Sequence, residues 1–237
     1  MPSRKCRFLC LFLSFLFGFP GVAEAFSTKM SRSDISSRLP GIHAIGMLSP
    51  DIRIYEFSAG GVREYKEDWS AKGKENVTKS LQESFGGRLI EIRQDALDNN
   101  VREELEEVLA LYRSAIASYT AQSDAQNGFP VKRDFSEYVL GPLENLFTAL
   151  KVDALVVVKG FDEISTGGRK ALAVVGALAG VVLRPGITGL EFGVIDRGGA
   201  ILWYRFEGSL YGNDFREPEG AAKITSETLT GYPGLKP

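Results

Sequence analysis

The chain has 237 residues, 44% of them hydrophobic, with 28 basic and 30 acidic side chains, one histidine and two cysteines. That length is enough for one sizeable core, and the slight acidic excess speaks against nucleic acid as the main partner, because phosphates call for a basic surface. Both cysteines, Cys6 and Cys10, fall within the first ten residues, so everything after them lacks disulfides, thiol nucleophiles and cysteine-bound metals.

The amino terminus has the three parts of an export signal. Arg4, Lys5 and Arg7 are basic, Phe8 to Phe19 is an apolar run, and Ala23-Glu24-Ala25 puts small residues where signal peptidase reads. Residues 1–25 are therefore expected to be a cleaved leader. The run is too short for a spanning helix of about 20 residues. Neither cysteine follows it, so no acylation signal is present and the processed chain is expected to be soluble.

Residues 26–50 read as a linker. Their first half is rich in Ser and basic residues, and Pro40, Gly41, Gly46 and Pro50 interrupt the second half. A single α/β domain is expected over 51–237. Ile52, Ile54 and Phe57 nearly alternate, which predicts a strand. Trp69, Val77, Leu81 and Phe85 recur at multiples of four, which predicts a helix over 70–85 stopped by Gly86-Gly87. A second strand is expected at Leu89 to Arg93, with Ile90 and Ile92 inward.

The clearest helix covers 101–121. Asn100 and Glu103 match a capping box, and Val101, Leu105, Val108, Tyr112, Ile116 and Tyr119 keep three–four spacing. Glu103, Glu104, Glu106 and Glu107 read as a solvated face near the positive end of the helix dipole. After a loop at 122–130, a short helix is expected from Pro142 to Lys151. Ala154 to Val158 is apolar without alternation, the mark of a central strand covered on both faces.

Leu190, Phe192 and Val194, then Leu202, Tyr204 and Phe206, alternate on either side of Asp196-Arg197-Gly198-Gly199, which predicts a hairpin. Pro218 opens a last helix to Leu229. The order β-α-β-α-α-β-(apolar segment)-β-β-α predicts an α/β fold, a mixed sheet of about five strands with flanking helices.

The apolar segment runs from Ala171 to Leu183 and has no polar side chain. As a helix it reaches roughly 20 Å at ~1.5 Å per residue, short of the ~30 Å bilayer core. Gly176 and Gly180 form a small-xxx-small pair that permits close helix approach. Three roles are open: a core helix on the sheet, a self-association surface, or membrane contact. The candidate interaction residues are Ala171, Leu172, Val175, Gly176, Leu178, Gly180, Val182 and Leu183.

No catalytic, cofactor or metal site is predicted. The one histidine, His43, lies in the expected linker, where nothing positions it for a triad. Gly160 to Lys170 has a strand–loop–helix layout suited to phosphate, but Gly168-Arg169-Lys170-Ala171 lacks the Lys and hydroxyl spacing of a P-loop. Glu64 with Glu67-Asp68, and Asp162-Glu163, are acidic pairs without an evident pocket. Asn76-Val77-Thr78 is a glycosylation sequon inside a predicted helix.

From Tyr138 to Pro233 the chain reads Tyr-Val-Leu-Gly-Pro-Leu, then Leu-Lys-Val-Asp-Ala-Leu-Val-Val-Val, then the apolar insert. Leu-Glu-Phe-Gly-Val-Ile-Asp-Arg-Gly-Gly-Ala-Ile-Leu-Trp-Tyr comes next, and a helix ends near Gly231-Tyr232-Pro233. This resembles uncharacterised bacterial envelope proteins, often lipoproteins, whose α/β domain is similar to the amino-terminal domain of the Tol–Pal protein TolB and to the curli-secretion lipoprotein. The resemblance implies a central strand at Ala154 to Val158, a hairpin spanning Asp196 to Trp203, and a place in the periplasm or at the outer membrane. It brings no functional residue with it. The expected function is that of an exported, non-enzymatic envelope protein binding a protein or peptide, or a copy of itself. The alternatives are a membrane-associating or pore-accessory protein using 171–183, and an exported hydrolase relying on carboxylates.

Overall fold

The computed structural model describes residues 25–123, 138–181, 183, 186–210 and 213–235. The expected leader lies outside them, apart from Ala25, as do Val182 and most of the 122–130 loop.

Among the described residues eight strands form one mixed sheet: β1 (Ala25–Ser31), β2 (Ile45–Leu48), β3 (Asp51–Phe57), β4 (Arg63–Tyr65), β5 (Leu89–Ile92), β6 (Ala154–Ser165), β7 (Ile187–Asp196) and β8 (Ile201–Leu210). β1, β8, β7 and β6 are successive antiparallel neighbours. The far edge of β6 is shared. β2 runs parallel to its first half from Ala154, and β3 runs parallel to its second half from Lys159. β5 extends the sheet beyond β2, and β4 beyond β3. The expected central strand is thus central, but it is 12 residues long rather than five.

Residues 26–50, expected as a linker, instead supply two strands. β1 is an edge strand held by backbone pairing to β8, so it needs few apolar side chains and reads as polar. All four residues of β2 are buried. Gly46, which looked like a breaker, sits there because a Cβ would come 3.1–3.3 Å from Val152 and Ile92. Pro50 falls between β2 and β3, where the register on β6 slips by one residue. A proline lacks the N–H a ladder needs and is tolerated at such a bulge.

Helices cover both faces of the sheet. After a single turn, α1 (Ile35–Arg38), they are α2 (Glu67–Ser84), α3 (Asn99–Ser123), α4 (Glu144–Leu150), α5 (Gly167–Leu178) and α6 (Pro218–Leu229). α2 and α6 close one face over Ile54, Val156, Phe192 and Trp203. α3 and α4 close the other over Leu155, Ile195, Ile201 and Tyr204. Gly86 at φ +60 ends α2, with Gly87 N–H bonded to Gln82 O, as the Gly86-Gly87 stop predicts. Two local expectations fail. α3 starts at Asn99, which puts Asn100 inside its first turn, and in β5 Leu89 and Ile92 are buried while Ile90 is exposed. Leu89 packs into the cluster under α2 and α6 and Ile92 into the cluster under α3 and α4, so this edge strand buries one residue on each face.

Candidate functional site

α5 interrupts the β6–β7 connection. Thr166 caps its start, the side-chain oxygen accepting from Arg169 N–H at 3.2 Å. Arg169 is buried. Its guanidinium lies 3.6 Å from the centroid of the Phe57 ring, and its Nη1 donates to Ser58 O at 3.2 Å. These contacts tie the helix base to the end of β3. The helix ends on Gly180 at φ +77. Val181 N–H bonds to Gly176 O at 2.8 Å and Gly180 N–H to Ala177 O at 3.1 Å, which is the Schellman arrangement.

Beyond its base the helix leaves the body of the protein. Leu178 is 80% exposed, Val174 64% and Val175 62%; Leu172 and Val181 are also exposed. Of the three roles open for 171–183, the core helix does not fit: the segment is a projecting thumb. The reading of Gly176 and Gly180 as a helix–helix contact changes as well. Gly180 supplies the left-handed stop, and a Cβ on Gly176 would lie 3.1 Å from Val181 O and 3.6 Å from Leu183. The small pair lets the chain turn back on itself. Ala171, Leu172, Val175 and Leu178 are solvent-facing, Leu183 is half-buried against Gly176, and Val182 lies outside the described residues.

Exposed apolar surface on this scale is costly. Fully burying a Val or Leu is worth about 1.5–3 kcal/mol, so covering these five partly exposed side chains is worth on the order of 5 kcal/mol. The helix is 12 residues long, about 18 Å at ~1.5 Å per residue. Among the described residues no helix is long and apolar enough to cross a membrane.

The phosphate-loop layout is not realised. Gly160 lies inside β6, and the α5 start is capped by its own Thr166. The acidic pair Asp162-Glu163 is split by the strand, whose neighbours point to opposite faces. Glu163 meets Arg63 at 2.8 Å. Asp162 accepts from the Thr188 hydroxyl at 2.7 Å and from Phe215 N–H at 3.1 Å, and burial pushes its carboxyl up to about 6. Glu64 pairs with Lys66. The acidic run of α3 is solvated or half-buried, and among the described residues no group of His and carboxylates is arranged to hold a metal.

Asn76 is buried and donates to Phe215 O at 3.0 Å and Arg216 O at 2.8 Å, so the sequon nitrogen is engaged inside the fold. With Asp162 it fixes the segment that leads into α6. Sequence reading missed this clamp, although Asp162 shares the strand phase of Val156 and Val158, where an acid in an apolar row signals a buried partner.

At the opposite end of the sheet lies a depression of about 370 Å³ lined by Arg38, Ile42, Asp153, Asp196 and Arg197. Its charges are matched internally. Arg38 bonds Asp196 at 2.8 Å, Asp153 accepts from the backbone of His43 and Ala44, and Arg197 reaches Val152 O and Thr148. His43 is exposed and contributes its backbone there.

No family model matches the chain, and no curated protein matches it. Among solved structures it is similar to a PelC dodecamer from Paraburkholderia phytofirmans, at 11% identity and TM-score 0.38, over 87% of this chain and 96% of that one. A point variant of that protein gives TM-score 0.36, at 11% identity over 88% and 96%. At these scores the likeness says nothing about the assembly or activity of this chain.

Proposed function

We propose that the protein is an exported, non-enzymatic binding protein of the cell envelope, and that its working part is the thumb formed by α5 and the turn after it. The observation that carries this reading is the contrast between base and tip. The base is fixed by Thr166 and by the Arg169–Phe57 stack, while the tip offers Leu172, Val174, Val175 and Leu178 to solvent. A helix whose outer surface carries no polar side chain from Ala171 onward is stable in place only if something covers it in use. The sequence adds the basic–apolar–small leader, and the resemblance of Tyr138 to Pro233 to envelope proteins agrees with it. The carboxylate-hydrolase reading has less support, since Asp162 and Glu163 lie on opposite faces and Asp153 and Asp196 are bonded internally.

Replacing 167–183 by an Asn-Gly turn tests the proposal. β6 and β7 are antiparallel and paired up to Asp162 and Thr188, so a two-residue turn can close them. The expected result is a folded protein that moves from the envelope-bound to the freely soluble exported fraction. An unchanged distribution would remove the thumb as the attaching element.

A further inference from the structure

We propose that the thumb inserts into one leaflet of a lipid bilayer, and that the end of the sheet from which it projects is the membrane-facing pole. This rests on the reading of the thumb as the attaching element and goes further by naming lipid as what covers it.

The shape of the apolar surface favours lipid over protein. At about 100° per residue, Leu172, Val174, Val175 and Leu178 spread over the outer arc of α5. The inner side is closed by the returning Val181 and Leu183, which are apolar too. From Ala171 to Leu183 no polar side chain occurs. A second copy or a flat partner covers one side and leaves the rest in water, whereas a leaflet surrounds the thumb. The projecting part, Ala171 to Leu178, is about 12 Å long at ~1.5 Å per residue, within the ~15 Å depth of a single leaflet, half of the ~30 Å hydrocarbon core.

The strand registers supply an independent argument. Ala25 pairs with Ser209, Ser209 with Thr188, and Thr188 with Asp162, three residues before β6 ends at Ser165. The chain therefore enters β1 at the same end of the sheet where α5 leaves β6. Phe26, at the start of β1, and Val62, in the β3–β4 turn, are exposed at this same end. The same end carries the Arg63–Glu163 and Arg216–Asp214 ion pairs, and the opposite end the Arg38–Asp196 and Arg197–Asp153 pairs. Charge is present at both ends, so what orients the protein toward a membrane is the apolar thumb itself, with Phe26 and Val62 beside it. The slightly acidic chain makes apolar insertion, rather than attraction to anionic headgroups, the source of binding.

The test is flotation of protein recovered from the exported fraction, on vesicles of phosphatidylethanolamine and phosphatidylglycerol, at low and high salt. Wild type is compared with the L172E/V175E/L178E variant, whose three positions are exposed and leave the core intact. Mass in solution is measured in parallel by light scattering. The proposal expects wild type to float at both salt concentrations and the variant to float at least about tenfold less. Equal flotation of both proteins overturns it. A wild type that stays at the bottom but forms a multimer the variant loses also overturns it, and leaves the attachment reading standing with a second copy as the occupant. If wild type neither floats nor self-associates, and the variant keeps its place in the envelope, both readings fail.

Discussion

The guanidinium of Arg169 stacks on the ring of Phe57, 3.6 Å from its centroid, and hydrogen-bonds the carbonyl of the next residue, Ser58. One side chain on the first turn of α5 thereby holds an otherwise detached helix to the sheet. A desolvated cation–π contact of this kind is worth about 2 kcal/mol. Arg169→Ala is expected to loosen the thumb without unfolding the body. Limited proteolysis should cut within 167–183 several times faster, while the melting temperature falls by only a few degrees. Arg169→Lys should restore little, because an ammonium lacks the planar face that stacks. Unchanged cleavage rates would show that the stack does not position the helix.

Asp162 predicts a pH dependence. Burial raises its carboxyl from the ordinary 3.8 to about 6, so the folded chain holds that proton more tightly than the unfolded one. Its stabilising share is complete below about pH 4 and is lost as the pH rises through 6, roughly 3 kcal/mol in total. The single Thr188 hydroxyl hydrogen faces two acceptors, Asp162 Oδ1 and Asn213 O; a protonated Asp162 donates to Thr188 and frees that hydrogen for Asn213. Asp162→Asn imitates the protonated acid. Denaturant titrations from pH 4 to 7 should show the variant gaining on wild type as the pH rises. Glu191, also raised by burial, and Asp34, held down by Arg32 and Arg38, act in both proteins and cancel in the difference.

Asn76 tests the clamp from the helix side. Its amide serves two carbonyls, those of Phe215 and Arg216. Asn76→Asp places a carboxylate against both oxygens and is expected to cost about 3 kcal/mol or more at neutral pH, read as a lower chemical-denaturation midpoint. A midpoint equal to that of wild type would mean that the segment leading into α6 is held by other contacts.

Gly193 and Tyr112 form a third pair. A Cβ on Gly193 would lie 2.0 Å from Tyr112 Oη, so Gly193→Ala should destabilise by about 3 kcal/mol through overpacking. The Tyr112 hydroxyl is buried and meets no donor or acceptor among the described residues. Tyr112→Phe removes it and is expected to be neutral or slightly stabilising. Melting temperatures of the two single variants check both statements.

The α/β class, the central strand, the final hairpin and four of the flanking helices were legible because their signal is periodic. Val77, Leu81 and Phe85 repeat at four, and Leu190, Phe192 and Val194 at two. The first two strands, and the three-residue β4 with all its side chains exposed, were not legible. β1 is held by backbone bonds that leave no hydrophobic trace, and β2 is four residues long and carries Gly46 for reasons of space. The segment 171–183 was visible as an anomaly, but its place was not. An apolar run reads the same whether it is buried in the core or projects from it. What sets it outside is long-range geometry: the β6–β7 pairing closes without it, and Arg169 fixes its base to β3.

Contact between the thumb and lipid can be measured at one atom. The only cysteines are Cys6 and Cys10 in the expected leader, so Leu178→Cys gives exported protein a single thiol at the thumb's tip for an environment-sensitive fluorophore. On addition of vesicles, the emission should shift to the blue and be quenched by bromine atoms placed on the lipid chains, while the same label at Ile90→Cys, on the edge strand β5, should not change. A label at position 178 that stays water-exposed and unquenched at saturating lipid would contradict insertion of the thumb.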